Sequence, residues 1–238
     1  MEALLAFAAS LLSLRLAGRL FTRWRARRAP ELAAWAASLG CYALASAAIA
    51  WGSAHGWDAR AFRVYYLFGG LLTAPLLGLG SLLLSKRRWA LPVALVYAGL
   101  AVGVAISVPL HGDFGGTTIP AAQDHLEFFP ARLVAALGNS LGTLAVAWVA
   151  VASIRRRPLG NGLILAGLVV AAAGSALSGL GATATAVWFA LAVCLFYLGF
   201  TAGPGWGRLR RREPEPRNGG AARSRPPSPP RFRFARRP

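Results

Sequence analysis

Long apolar runs separated by short arginine clusters are the feature that most constrains this chain. The clusters stand at positions 23–28, 86–88 and 155–157, and a further group begins at Arg208. Only 14% of the residues are charged, against about a quarter in a typical soluble domain. A helix needs about 20 apolar residues to cross a bilayer. The sequence therefore predicts an all-α fold, a polytopic membrane helix bundle.

Seven runs have the composition of membrane helices. Their predicted bounds are 3–21, 32–53, 64–85, 89–110, 131–154, 159–180 and 184–202. Arg15 and Arg19 interrupt the first run, but a secretory signal peptide fits it poorly, because Glu2 replaces the basic start and no small-residue cleavage site follows. Pro75, near the middle of the third run, predicts a kink that leaves a backbone carbonyl without its helical partner.

The positions of the basic residues predict the topology. The arginine clusters follow the first, third, fifth and seventh runs, whereas the intervening gaps hold only Arg60, Arg63 and Arg132. Arginine and lysine in short loops favour the cytoplasmic side. We therefore expect seven spans, with the N-terminus outside and the C-terminus in the cytoplasm. Residues 1–205 form the bundle, and residues 206–238, rich in Arg, Pro, Gly and Ser, form a disordered basic tail.

The net charge of +18 does not indicate nucleic-acid binding. The arginines lie between apolar runs and in the tail, not in a stripe on a soluble fold. They predict contact with anionic lipid headgroups at the cytoplasmic face, each arginine contributing about 1 kcal/mol. The proline-rich stretch 226–230 favours an extended conformation that suits a protein partner. Heavy use of Ala, Leu, Gly and Arg, with Lys86 the only lysine, is typical of a GC-rich bacterium, and hence of its plasma membrane.

The apolar runs lack the side chains of several membrane chemistries. No Asp, Glu or His stands in the middle of a run, which argues against an ion pathway, a histidine-ligated haem and an intramembrane serine protease. Lys86 lies in a predicted cytoplasmic loop, which excludes a retinal Schiff base. Cys41 and Cys194 stand inside runs and show no disulfide or zinc spacing. We expect no cofactor and no enzymatic activity.

Polar residues inside the runs form a first candidate site. Asn139, Ser140 and Thr143 lie within about one turn of each other, and Thr73 precedes Pro75. These side chains form either interhelical hydrogen bonds, worth about 0.6 kcal/mol each, or a small polar cavity for an uncharged solute. The second interpretation predicts a transporter of a small neutral or amphipathic solute. Against it, the paired broken helices typical of transporters are missing from the sequence pattern.

Histidines and acids in the predicted outer loops form a second candidate site. The residue types are those that bind zinc and related metals. The candidates are His55, Asp58, His111, Asp113, Asp124, His125 and Glu127. Converging helix ends would join them into one site, as in a metal-dependent enzyme of the outer face. No pair has a recognised ligand spacing, and a solvated acidic loop has the same composition.

Small residues recur four apart in several runs, a pattern that lets helices approach closely. The pairs are Gly99 and Gly103, Gly138 and Gly142, Gly174 and Ser178, and Gly199 and Gly203. Packing within the molecule and a homodimer face both remain open.

Residues 51–84 contain Gly56-Trp57, Arg63, Tyr65-Tyr66, Gly69-Gly70 and Gly78-Leu79-Gly80. This stretch resembles uncharacterised seven-helix membrane proteins of GC-rich bacteria. The general plan is also similar to the seven-helix sensor modules that precede bacterial histidine kinases, although the tail is expected to be too short for a kinase or other output domain. Neither resemblance carries over a functional residue. The expected role is non-enzymatic, as a sensor, scaffold or accessory protein of the envelope.

Overall fold

The computed structural model describes residues 2–176 and 182–201, and within these ranges the chain forms helices and connecting segments with no β-strand. The elements in chain order are α1 (Glu2–Arg27), α2 (Pro30–His55), α3 (Ala59–Tyr65), a first π-helical segment (Tyr66–Leu72), α4 (Thr73–Leu84), α5 (Ala90–Ser107), α6 (Ala122–His125), a second, kinked π-helical segment in which Phe129 is extended (Phe128–Arg132), α7 (Leu133–Ala152), α8 (Pro158–Ala176) and α9 (Ala182–Thr201). The all-α prediction is confirmed for this part of the chain.

Several of these helices have the length and composition of membrane spans. In the described ranges there are five such stretches: Ala3–Arg27, Pro30–His55, Ala59–Leu84, Ala90–Ser107 and Phe128–Ala152. A shorter apolar stretch, Pro158–Ala173, lies in α8. The apolar helices are those of a membrane-embedded protein. The predicted tail at 206–238 lies outside the described residues, as do the predicted ends of the sixth and seventh runs.

The first run was predicted to end at 21, but α1 continues to Arg27. Helix capping and proline geometry explain two further differences from the predicted bounds. The third run begins at Ala59 rather than at 64, because the Asp58 carboxylate accepts a hydrogen bond from the backbone N–H of Ala61 (2.6 Å) and caps α3. The fourth run ends at Ser107 rather than at 110. Its next residue, Val108, precedes a proline and is extended, with ψ at 127°, as residues before proline usually are.

The third run also departs from the prediction of a single helix kinked at Pro75. The irregular turns form the first π-helical segment, which ends at Leu72, before the proline. A π-helical turn takes up one residue more than an α-helical turn. The side chains after this segment are therefore rotated relative to those of an uninterrupted α-helix.

Two of the four buried apolar clusters in the described residues join most of the helices. Phe62 and Leu71 are fully buried in a cluster built from α3, the first π-helical segment, α5 and the start of α7. A second cluster packs α1 against α2 through Leu16 and Trp35, with contributions from α4 and α9. The guanidinium of Arg19 also donates a hydrogen bond to the hydroxyl of Tyr197, which joins α1 to α9.

The helices α4 and α7 cross at two glycines. A Cβ atom at Gly78 would lie 2.7 Å from the Cα of Gly142, and one at Gly142 would lie 2.8 Å from the nitrogen of Pro75. Both distances are far below normal contact, so only glycine permits this approach. Packing within the molecule is thus confirmed at Gly142. In contrast, a Cβ atom at Gly99 or Gly103 would meet nothing within 4 Å.

The glycines of the other predicted pairs lie against other parts of the molecule. A Cβ atom at Gly138 would clash with the Tyr97 ring, where one ring carbon lies 2.9 Å away, and one at Gly199 would lie 2.8 Å from the carbonyl oxygen of Gly160 on α8. Both glycines therefore pack within the molecule. Ser178 and Gly203 lie outside the described residues.

The change Gly142→Ala should lower the free energy of unfolding by about 1–3 kcal/mol, because the added methyl group forces α4 and α7 apart. Thermal unfolding of the detergent-purified protein measures the loss. The matched control is Gly99→Ala, which adds the same methyl group to a helix in open space and should be neutral or stabilising. Equal melting temperatures for the two variants would contradict the crossing.

Candidate functional site

The break in the third span (Ala59–Leu84) leaves a backbone carbonyl that needs a hydrogen-bond donor. In an α-helix the N–H of residue 75 bonds the carbonyl of Leu71, and in a π-helix it bonds the carbonyl of Gly70. Pro75 has no N–H and donates to neither. An unbonded carbonyl in apolar surroundings costs several kcal/mol. Hydrogen-bond donors from other parts of the protein are therefore needed at this site.

Side chains of neighbouring helices supply those donors. The Tyr97 hydroxyl on α5 donates to the carbonyl of Leu71 (2.9 Å), and the Asn139 amide on α7 donates to the carbonyl of Gly70 (2.9 Å). From α2, the Ser38 hydroxyl donates to the carbonyl of Thr73 (2.7 Å). We call Ser38, Tyr97 and Asn139 the polar crossing. It attaches three helices to one irregular stretch of backbone.

The four residues predicted to line a polar cavity do not come together. Asn139 belongs to the polar crossing, and the Thr73 hydroxyl donates to the carbonyl of Phe68 in its own span (2.6 Å). Ser140 and Thr143 are exposed on the outward face of α7, beside the exposed Leu141 and Leu144. The geometry at Asn139 is that of an interhelical hydrogen bond.

The long loop at 108–127 folds over the adjoining ends of α2 and α3. The backbone N–H of Trp57 donates to the carbonyl of Gly116 (3.1 Å). The ring of Phe114 stacks on His125 with centroids 4.2 Å apart, and the buried Phe62 ring lies 5.3 Å from Phe114 and 5.4 Å from His125. We call Phe62, Phe114 and His125 the aromatic cap. Through Phe62, the cap is packed directly on the third span.

Two histidines close the base of the long loop. The backbone N–H of His111 donates to the carbonyl of His125 (3.0 Å), and the Nδ1–H of His125 donates to the carbonyl of His111 (2.8 Å). The second bond places the ring proton on Nδ1. The His111 Nε2 atom lies 4.0 Å from Glu127 Oε1, and both side chains are exposed. The histidines thus hold the loop together.

The structure brings His111 close to His125 and Glu127, but the seven candidate metal ligands do not come together as one group. The His55 ring stacks on Trp51 (4.4 Å), Asp58 caps α3, and Asp113 and Asp124 are exposed. Among the residues that the structure describes, no group of three His, Cys, Asp or Glu side chains is arranged to hold a metal ion. The geometry gives the metal hypothesis no support.

Arg63 joins α3 to the C-terminal end of α5. Its guanidinium donates to the carbonyls of Ala105 (2.5 Å) and Val108 (3.0 Å). A positive charge at this position stabilises the negative end of the helix dipole. The cavity between Arg63 and its neighbours has a volume of about 10 Å³, which is roughly the room that one water molecule needs. It is a packing gap rather than a ligand pocket.

Sequence reasoning did not assign roles to Ser38, Tyr97 or Arg63. The available signal was Pro75, which predicts a carbonyl in need of a donor. Polar side chains at a matching depth in other runs are the candidate donors, and Ser38 and Tyr97 meet that criterion. Their identification also needed the helix neighbours, which the sequence pattern does not provide.

Comparison of the chain with protein-family models, with curated proteins and with solved structures gives no match in any of the three. The resemblance to seven-helix membrane proteins therefore stays a prediction.

The change Asn139→Ala should lower the free energy of unfolding by about 1–2 kcal/mol, because the carbonyl of Gly70 loses its side-chain donor in apolar surroundings. Chemical or thermal unfolding in detergent measures the loss. The matched control is Ser140→Ala, at the next position of the same helix, where the side chain is exposed. A loss of equal size in both variants would show that the hydrogen bond has no special role.

Proposed function

We propose that the protein is a non-enzymatic sensor in the bacterial plasma membrane, with seven spans, its N-terminus outside and its C-terminus in the cytoplasm. The proposed stimulus acts on the long loop and the aromatic cap at the outer face. The response is a change at the cytoplasmic ends of the helices. The observation that carries the proposal is the continuity of the third span, which contains both Phe62 of the cap and the backbone of the polar crossing.

The first π-helical segment supports the proposal as the element that changes. It begins at Tyr66, one turn after Phe62, and ends where the polar crossing holds the backbone. Conversion between π-helical and α-helical turns shifts the register by one residue and rotates the rest of the helix. Segments of this kind frequently occur at functional sites. A displaced cap would move Phe62 and so bias the segment.

The C-terminal half of the third span contacts two other helices, so its rotation would affect them. Gly80 of α4 lies directly against the ring of Trp35 on α2, and Gly78 lies against α7. A rotation of α4 therefore alters its contacts with both helices. The basic cluster at 86–88 comes immediately after α4 and its terminal turn. We propose that this cluster and the tail contact anionic lipid or a cytoplasmic partner protein.

The same observations favour a sensor over a transporter. Transporters keep unpaired polar groups at a broken helix to bind the solute. Here the donors at the break, Tyr97 and Asn139, are both bonded to backbone carbonyls.

The proposed topology predicts opposite accessibility for the long loop and the 85–88 turn. In a Cys41→Ala, Cys194→Ala background, Gly115→Cys should react with a membrane-impermeant maleimide added to intact cells. Ser85→Cys should react only after the membrane is permeabilised. Both residues are in exposed segments, so permeabilised cells provide the control for reactivity. Labelling of Ser85→Cys in intact cells would contradict the orientation.

The sensor proposal predicts that a change in the cap reaches the polar crossing. His125→Ala removes the stacking on Phe114 and the bond to His111, and should raise amide hydrogen exchange in residues 66–75 about tenfold, equivalent to about 1.4 kcal/mol. Hydrogen–deuterium exchange of the protein in nanodiscs measures it. His55→Ala is the control, since His55 stacks on Trp51 outside the cap. Faster exchange confined to the long loop would refute the coupling.

A further inference from the structure

An open apolar groove of about 450 Å³ lies between α1 and α2, near the turn that joins them. Its size is within the range of about 300–1,000 Å³ of ligand sites. It is lined by Ala17, Gly18, Phe21, Trp24, Ala33, Ala36 and Ala37. Five of these residues carry a methyl group or a hydrogen, which creates the space. The rings of Phe21 and Trp24, with centroids 5.2 Å apart, form a wall at the end nearer the turn.

The described part of the chain leaves this groove open. A Cβ atom at Gly18 would meet nothing within 4 Å, and the Phe21 side chain is 48% exposed. The surface around it is also apolar, since Leu14 on the same face of α1 is 58% exposed. The groove thus opens onto a surface that suits lipid chains rather than water.

Positive charge surrounds the end of the groove at the turn. Arg25 follows Phe21 by one helical turn and continues the groove face of α1. The guanidinium of Arg28 lies 5.8 Å from the centroid of the Trp24 ring. Between residues 17 and 37 the only acid is Glu31, which stands two positions before Ala33 and so about 200° around α2, away from the groove.

The N-terminus of α2 adds to this positive potential. Ala29 precedes it and provides no side-chain cap. The positive end of the helix dipole therefore faces the same turn as Arg25 and Arg28, an arrangement that attracts a phosphate group.

We propose that the groove binds one acyl chain of an anionic phospholipid, whose phosphate is held by Arg25 and Arg28. The apolar walls of the groove match the acyl chain, and the arginines at its end match the phosphate. Lipid is also the molecule that surrounds an apolar helix pair exposed in a membrane. The basic tail is a poor occupant, because the same arginines repel it. The assignment to the cytoplasmic leaflet rests on the proposed topology, whereas the lipid chemistry does not.

Native mass spectrometry of the full-length protein, titrated with phosphatidylglycerol or phosphatidylcholine, tests the site. We expect one phosphatidylglycerol to bind about tenfold more tightly than phosphatidylcholine, and the preference to disappear in Arg25→Gln/Arg28→Gln. Gly18→Leu places a bulky side chain in the groove at a position where an added Cβ atom meets nothing within 4 Å, and should abolish this binding. Gly99→Leu makes the same change on α5, in open space, and should retain it.

A second variant distinguishes a filled groove from a misfolded protein. Ala37→Leu fills the groove from the α2 wall, at an exposed position, and should act like Gly18→Leu. Undiminished phosphatidylglycerol binding in both variants overturns the proposal, as does equal binding of the two lipids by the parent. Reversed maleimide labelling would overturn the topology and the leaflet alone, because binding in the mass spectrometer does not depend on orientation.

Discussion

Within a bilayer, every backbone carbonyl that lacks a helical donor must find one inside the protein, since no water is present. The third span creates this need at Pro75. Tyr97 and Asn139 bond the carbonyls of Leu71 and Gly70, which are the alternative α-helical and π-helical partners of residue 75, and Ser38 bonds the nearby carbonyl of Thr73. One donor comes from each of α5, α7 and α2. Three other helices are therefore attached to one irregular stretch of the third span.

The glycine crossing and the polar crossing depend on each other. Asn139 and Gly142 are three residues apart and so lie on one face of α7. The asparagine side chain is short and reaches the carbonyl of Gly70 only when the two backbones are close. Gly78 and Gly142 provide that closeness. The helix pair α4–α7 is thus held by contact and by hydrogen bonding at the same place.

The polar groups at the ends of the helices have similar structural partners. Asp58 caps α3, Arg63 bonds the last carbonyls of α5, and the His125 ring donates to the carbonyl of His111 at the base of the long loop. These side chains have the types used in metal sites and catalysis, yet each is engaged by backbone. The sensing role that we propose would require only changes in such contacts, not chemistry on a substrate.

By itself, the sequence determined the helical class, the succession of apolar helices, the break near Pro75 and the need for a donor there, because these follow from hydropathy and from the missing proline N–H. Tertiary structure alone decided which polar residues meet the break. Asn139 and Ser140 are adjacent, yet one points to Gly70 and the other outward. Gly99 and Gly142 belong to two pairs with the same spacing of small residues, yet only Gly142 lies against a neighbouring helix. The physical reason is that spacing fixes the relative faces of one helix, whereas only packing fixes which face meets a partner.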